Sequence, residues 1–581
     1  MPSEAPQTQP SAAAAKPAEG LPSKPQAQKW QNKNGKQNGK RPFQGQGGRD
    51  RFKQRKSKRE RNITEGSSEE VLAADVQALI ASRKEPKGDQ EAETDAKEGA
   101  EEGATETPSA PLPDLFSEIE VEVFELSSTG DGLALQPGCS THVYVVPFVA
   151  PGDIAKIKVV RHVRDENYSV ADLLSVTKPG PLRDDSLIGC KYFSQCSGCQ
   201  FQMLDYPTQL AHKRTIVEKA YRNFSQLPPE LVPTIKDTIG SPLQYNYRTK
   251  LTPHFDGPPG FHRKGKPRQA LDKVPDVGFN VKGRRIVLDI EDCPIGTDAV
   301  RLGMKRERAR IGRDFGNYTK GATILLREST KRYPKKVVDG AEAAEQPPAE
   351  IPEDAVRVET DDHVDVKTCI SDTAAMSTEY IDSFLFTNPA NSFFQNNNSI
   401  LPKFTDYIRS HVMPPAGPNR DRIKYLIDAY SGSGLFTITL ASLFQGSTGI
   451  DISKDSIDYA RKNAKLNNLP ESQCNFLAAD APELFKHVTY PADETVVVID
   501  PPRKGCDNDF LSQLLRHGPR RVVYVSCNVH TQARDVGILV RGDLGDGTTR
   551  YEIESLVGFD FFPQTGHVEG VAVLNRVEKN T

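Results

Sequence analysis

The sequence predicts an α/β protein, with an open and mostly parallel sheet in the last third of the chain, a small β-barrel ahead of it and a central α+β domain between them. Three observations carry this reading. TVVVID (495–500) and RRVVYVS (520–526) are short β-branched runs without polar alternation, as strands buried on both faces of a parallel sheet read. YLIDAYSGSGLFTITLASLF (425–444) runs strand, glycine turn, helix, the first unit of a Rossmann-like sheet. EIEVEVFELSSTGDGLAL (118–135), VYVVPFVAPGDIAKIKVVRHV (143–163) and YSVADLLSV (168–176) are short alternating runs broken by Gly and Pro turns, the pattern of a small barrel.

At 581 residues the chain has room for three to four domains at about 150 residues each. Its balance is near neutral, with 75 Lys and Arg against 78 Asp and Glu, but the charge is unevenly spread. The stretch 27–62 ends in RDRFKQRKSKRERN, and 85–107 is acidic and rich in Ala and Gly. Neither can bury enough apolar surface to offset its ordering entropy, so 1–112 reads as a disordered tail holding one short helix, Glu69–Arg83. The basic run suits either a solvated linker, a non-specific RNA-binding arm or a nuclear import signal. No stretch approaches the roughly 20 apolar residues of a membrane span, and no secretory leader is present. A soluble, intracellular monomer is expected, in nucleus or cytoplasm, with a mitochondrial address left open. In such a compartment nine cysteines read as thiols, metal ligands or nucleophiles rather than disulfides.

The expected divisions are 1–112 for the tail, 113–180 for the barrel, 181–385 for the central domain and 386–581 for the catalytic sheet. In the central domain Cys190, Cys196 and Cys199 form a tight run and Cys293 follows in IEDCPI. Four thiolates satisfy the ligand count of an iron–sulfur cluster of the 4Fe-4S type, and a zinc site takes the same ligands. Arg248 and Lys250 on QYNYRTKLTPHF are candidate phosphate contacts, and the acidic 339–355 reads as a surface insertion.

In the sheet, Gly432 and Gly434 let the backbone approach a ligand, and Asp451 ends the next strand 17 residues after Gly434. A carboxylate there can take both ribose hydroxyls of an adenosine. The two buried runs stop at Asp500-Pro501-Pro502 and at Ser526-Cys527-Asn528. Both ends belong to the carboxyl edge of a sheet, where open α/β folds place ligands, so an acid and a thiol are expected in one crevice.

DPPRKG (500–505) followed by YVSCN (524–528), with FFQNN (393–397) and DAYSGSG (428–434) upstream and HVEGV (567–571) downstream, resembles the S-adenosylmethionine-dependent RNA uracil-C5 methyltransferases. Five motifs occur in family order, and the likeness is greatest to the fungal and eukaryotic branch that acts on uracil 54 of tRNA. The resemblance implies a Rossmann-like class I methyltransferase domain, a TRAM (OB-like) RNA-binding barrel, S-adenosyl-L-methionine as cofactor and tRNA as partner. It makes Cys527 the nucleophile and Glu569 the proton acceptor. Gln395, Tyr430, Gly432, Gly434, Asp451, Asp480 and Asp500 would bind the cofactor, with Asn397 shaping the pocket, and Cys190, Cys196, Cys199 and Cys293 would hold a structural 4Fe-4S cluster. Leu435 departs from the family, where Asn is common. The cysteine run is typical of the ribosomal-RNA branch, so ribosomal RNA is the alternative substrate. A non-catalytic RNA chaperone would not need an intact Cys527, and an amino-directed methyltransferase would carry an aromatic residue where Arg503 stands.

Overall fold

Five strands, Glu118–Leu126, Gly132–Leu135, Val143–Val146, Ile154–Val163 and Tyr168–Lys178, close into a barrel. Its interior is filled by Val121, Val123, Ala134, Tyr144, Val146, Ile157 and Val159, the inward positions of the alternating runs. The computed structural model describes residues 66–84, 111–258, 269–335, 347–415, 422–479, 485–486, 488–545, 547 and 549–577. Most of the expected tail, residues 339–346 of the acidic insertion and Asp480 lie outside them. Among the described residues no helix is long and apolar enough to cross a membrane.

One part of the expected tail is ordered. Ser68–Lys84 is a helix, a residue longer at each end than read from the sequence, and Val76, Leu79 and Ile80 pack on Leu133, Leu135, Val143 and Val145 of the barrel. Tail composition does not govern this segment, because its apolar face is covered by the barrel. The remainder of the insertion also packs, Ile351 and Ala355 lying against Tyr333, Val364 and Val366.

The main sheet has eight strands. In spatial order they are Cys474–Ala478, Gly446–Asp451, Tyr425–Ala429, Thr495–Ile499, Arg521–Ser526, Glu569–Arg576, Tyr551–Phe559 and Lys236–Ile239. The first five are parallel, and the Glu569–Arg576 strand runs antiparallel to its neighbours on both sides. From Tyr425–Ala429 the chain winds outward through two strands and then returns to the other side at Thr495–Ile499, which makes a topological switch point between those two. The edge strand Lys236–Ile239 comes from the central region, and the helix Tyr206–Phe224 just before it packs on the helix Val529–Arg541.

That docking carries a charge pair. Lys213 on the Tyr206–Phe224 helix donates to Asp560 at 2.5 Å and to the Phe562 carbonyl at 3.0 Å, with both charged side chains fully buried. Burial pushes the Lys213 ammonium below its ordinary value while Asp560 opposes that shift. Replacing Lys213 with Met leaves the Asp560 carboxylate without its cation, an expected loss of about 3–5 kcal/mol in urea denaturation. Pairing Lys213→Met with Asp560→Asn should recover most of that loss.

Candidate active site

The switch point opens into a cavity of about 1260 Å³ lined by Gln395, Tyr430, Gly432, Asp451, Asp500, Arg503, Cys527 and Glu569 among others. Seven residues expected at the site from the sequence therefore meet in one crevice. Gly434 sits just behind it, at a φ of +95° where an added Cβ would come within 3.0 Å of Ile438 and Phe476, so the turn accepts only glycine. Asp428, fully buried beneath the turn, accepts from the Thr437 backbone and hydroxyl at 2.9 and 2.6 Å and pins the start of the helix Leu435–Thr439. Tyr430 holds a left-handed φ of 64°, the kind of strained backbone that collects at functional sites. Asp451 accepts from the Gly432 N–H at 3.0 Å on one oxygen and from the Ser453 N–H at 2.7 Å on the other. Each oxygen keeps a lone pair toward the cavity.

Across the crevice three acids gather, and two of them, Cys527 and Glu569, face one cation. Ser526 stands opposite Gly570 in the antiparallel ladder, so the next step of the register sets Cys527 against Glu569 at the sheet edge. Asp500 ends the neighbouring parallel strand. Burial, then the charges of Glu569 and Asp500, push the Cys527 thiol up to about 12, while Arg503 hydrogen-bonds the thiol and opposes the shift. Burial and the Asp428 charge raise Asp500 to about 7. Glu569 is raised well above a normal carboxyl by burial and by Asp500, with Arg503 again opposing. Burial thus disfavours the ionised form of all three groups, and the single guanidinium offsets this only at Cys527 and Glu569.

The loop that carries Arg503 is braced from behind. Asn528 donates to the Arg503 carbonyl at 2.9 Å and Thr531 to the same oxygen at 3.2 Å. Cys506 N–H donates to Asp535 at 2.8 Å, and Tyr524 donates to the same carboxylate oxygen at 2.6 Å.

The rim corrects part of the sequence reading. Lys250 donates to the Asn391 and Ser392 carbonyls at 3.2 Å each and holds the FFQ turn, so two of its three N–H groups are engaged within the protein. Asn397 is fully buried away from the cavity wall, donating to Ser241 and to the Phe561 carbonyl at 3.1 Å. Arg248 does line the cavity, its guanidinium over the Phe562 ring at 5.7 Å. The sequence reading missed Phe393, a large aromatic left 78% exposed at the mouth, and Ile452, 71% exposed beside Asp451. Hydrophobicity alone would class both as core, and only their position beside Gln395 and Asp451 points to the crevice.

The four central cysteines share a neighbourhood. Cys199 and Cys293 each feel the charge of Cys190 and Cys196, and burial raises all four thiols. Cys190 and Cys199 pack on a cluster with Phe148, Phe193 and Phe201, whereas Cys196 and Cys293 pack on one with Leu251, Phe255 and Val277. All nine cysteines are free thiols. Among the described residues no group of three or more His, Cys, Asp or Glu is arranged to hold a metal ion, so the expected 4Fe-4S ligand set is not formed as the side chains stand.

A glycine turn and an acidic strand end at the switch point of an open sheet, with a thiol facing them, define a Rossmann-like methyltransferase fold. The fold is shared with the Pyrococcus abyssi tRNA (uracil-54, C5)-methyltransferase solved with S-adenosyl-L-homocysteine, at a TM-score of 0.51 and 23% identity, covering 78% of this chain and 100% of that one. Residues 375–577 match the family model described as tRNA (Uracil-5-)-methyltransferase. The tRNA (uracil(54)-C(5))-methyltransferase of Schizosaccharomyces pombe is 44% identical over 80% of this chain and 79% of its own length. That of Saccharomyces cerevisiae is 40% identical over 79% of this chain and 73% of its own. The chain belongs to the tRNA (uracil-5-)-methyltransferase family.

With its thiol raised to about 12, Cys527 is almost wholly protonated near neutrality, so its alkylation by iodoacetamide should rise about tenfold per pH unit between pH 7 and 9. In Glu569→Gln the carboxyl can no longer ionise beside the thiol, so labelling should be faster wherever the wild-type Glu569 is charged. Mass spectrometry of the Cys527 peptide reads both.

Proposed function

We propose that the protein transfers a methyl group from S-adenosyl-L-methionine to C5 of uridine 54 in the T loop of tRNA. The observation that carries this is the meeting of Cys527, Glu569, Asp500 and Arg503 with the glycine turn and Asp451 in one cavity. The names of the fungal relatives favour tRNA over ribosomal RNA.

The residues fit the cofactor by donor chemistry, since Asp451 offers both oxygens to ribose hydroxyls and Gln395, Tyr430 and Gly432 wall the same space. When bound, S-adenosyl-L-methionine supplies an electrophilic methyl on a cationic sulfur. The C5 carbon of uracil is a poor nucleophile, so Cys527 as thiolate adds to C6, and the C5–C6 electron pair moves to make an enolate at C4. Arg503 holds the thiolate and balances the developing charge. C5 displaces the methyl, Glu569 as carboxylate removes the C5 proton, and the electron pair released re-forms C5–C6 while the C6–S bond breaks. Uracil cannot be reached at both carbons inside a stack, so the base is turned out of the loop. Phe393, exposed at the mouth, is a stacking face for a neighbouring base. The barrel is read as a TRAM-like RNA-binding module.

For the four central cysteines the proposal stays with donor chemistry. Cys190, Cys196, Cys199 and Cys293 together would suit a structural 4Fe-4S cluster once the thiols turned toward one another, and no step of the reaction uses it. Anaerobically purified protein should then contain about four irons and four sulfides per chain. None of either identifies the four as packing thiols.

Labelled methyl transfer to unmodified tRNA and to ribosomal RNA decides the main reading. 5-Methyluridine is expected at one T-loop position of tRNA and absent with Cys527→Ala. Label in ribosomal RNA alone, or an active Cys527→Ala, overturns it. Glu569→Gln should lower turnover about 10²- to 10⁴-fold and accumulate a denaturation-resistant RNA–protein adduct, because the methylated base cannot shed its C5 proton.

A further inference from the structure

The helix Ser68–Lys84 and the turn before it touch the catalytic loop as well as the barrel, and neither contact is needed to explain the chemistry above. Gly66 O accepts from the Asn528 side-chain amide at 3.2 Å, and the same nitrogen donates to the Arg503 carbonyl at 2.9 Å. Gly66 has a φ of +71°, and an added Cβ would lie 2.6 Å from Thr531 Cγ2, so the seat on the loop admits only glycine. The Gly66 N–H donates to Glu70 at 2.6 Å and the Glu70 N–H to Ser67 at 3.4 Å, a capping arrangement that makes the turn continuous with the helix.

The helix has a second grip. Asp75, 1% exposed, accepts from the Ser128 N–H at 2.5 Å and faces Lys219 at 3.8 Å. Ser128 belongs to the barrel loop that also receives Gln200, which donates to the Thr129 carbonyl at 2.8 Å while accepting from the Gly566 N–H at 3.0 Å. Gly566 lies three residues before Glu569. The helix thus stands one link from the Arg503 loop at one end and two links from the Glu569 loop at the other.

We propose that the segment Gly66–Lys84 is a strap that positions the reaction centre, Gly66 and Asp75 acting through Asn528 and Ser128 to hold Arg503 and Glu569 against Cys527. Gly66, Asp75 and Asn528 are positioning residues on this view, since none of them touches substrate. The proposal rests on Cys527 being the nucleophile. The charged and titratable groups that face the thiol are Glu569, Asp500 and Arg503, and of these only Arg503 stabilises the thiolate. A slack strap lets Arg503 swing away and leaves the two acids in place.

The test uses the full chain with Gly66→Val and Asp75→Ala, read by the pH dependence of Cys527 alkylation, by kcat and KM for tRNA, and by thermal melting. Ile311→Val, in a separate core cluster of the central domain, controls for lost stability alone. Both strap variants should melt as folded proteins, alkylate about tenfold more slowly at a given pH as the thiol rises by one unit, and lose kcat in step with KM unchanged. Adding Asn528→Ala to Gly66→Val should cost little more, since the two act in one chain of contacts. The proposal falls if folded strap variants alkylate at the wild-type rate, or if Ile311→Val slows alkylation as much for the same drop in melting temperature. Alkylation needs no methyl transfer, so a wild type that methylates no RNA would overturn the functional reading while the strap is still decided.

Discussion

Two acids, Cys527 and Glu569, share one guanidinium at the wall of the crevice, with Asp500 beside them. Burial raises all three; the charges of Glu569 and Asp500 add to it at Cys527, that of Asp500 at Glu569 and that of Asp428 at Asp500, while Arg503 opposes the shift at Cys527 and Glu569. Two consequences follow from this balance. The resting site is close to neutral, so its burial is tolerable. A second positive charge in the crevice would favour ionisation of these groups.

Sheet topology is what brings the three acids together. Asp500 and Cys527 follow the ends of two parallel neighbours, and a third parallel strand would have delivered only its own end through a long crossover. The strand Glu569–Arg576 instead runs antiparallel to Arg521–Ser526, so its first residue arrives at the edge where the parallel strands finish. Glu569 is thereby fixed by backbone pairing rather than by a loop. A reversal of one strand supplies a carboxyl that a purely parallel sheet would have had to place on a flexible connection.

Much of this was legible because it is local. The apolar runs before Asp500 and Cys527, the glycine turn and the acid at Asp451 each report a backbone requirement within a few residues. What escaped depends on distant partners. The helix Ser68–Lys84 reads as an isolated fragment because the residues that cover its face, Leu133, Val143 and Val145, lie more than 45 positions on. Lys250 reads as an RNA contact because nothing nearby announces the Asn391 and Ser392 carbonyls that occupy it. The cysteine spacing gives a ligand count, but not that the four thiols divide between two apolar clusters.

The same non-local logic makes the catalytic sheet dependent on sequence far upstream. Without Lys236–Ile239, the strand Tyr551–Phe559 would present an open edge, an invitation to pair with another chain. Without the helix Tyr206–Phe224, Asp560 would lose the ammonium that neutralises it, and Ile216, Val217, Ala220 and Tyr221 would no longer cover Val529, Ala533 and Val536. The sequence motifs of the reaction all lie between Phe393 and Val571, yet the sheet that presents them is finished by residues some 150 positions earlier. The central region is therefore part of the same packed body that sets Cys527 beside Glu569.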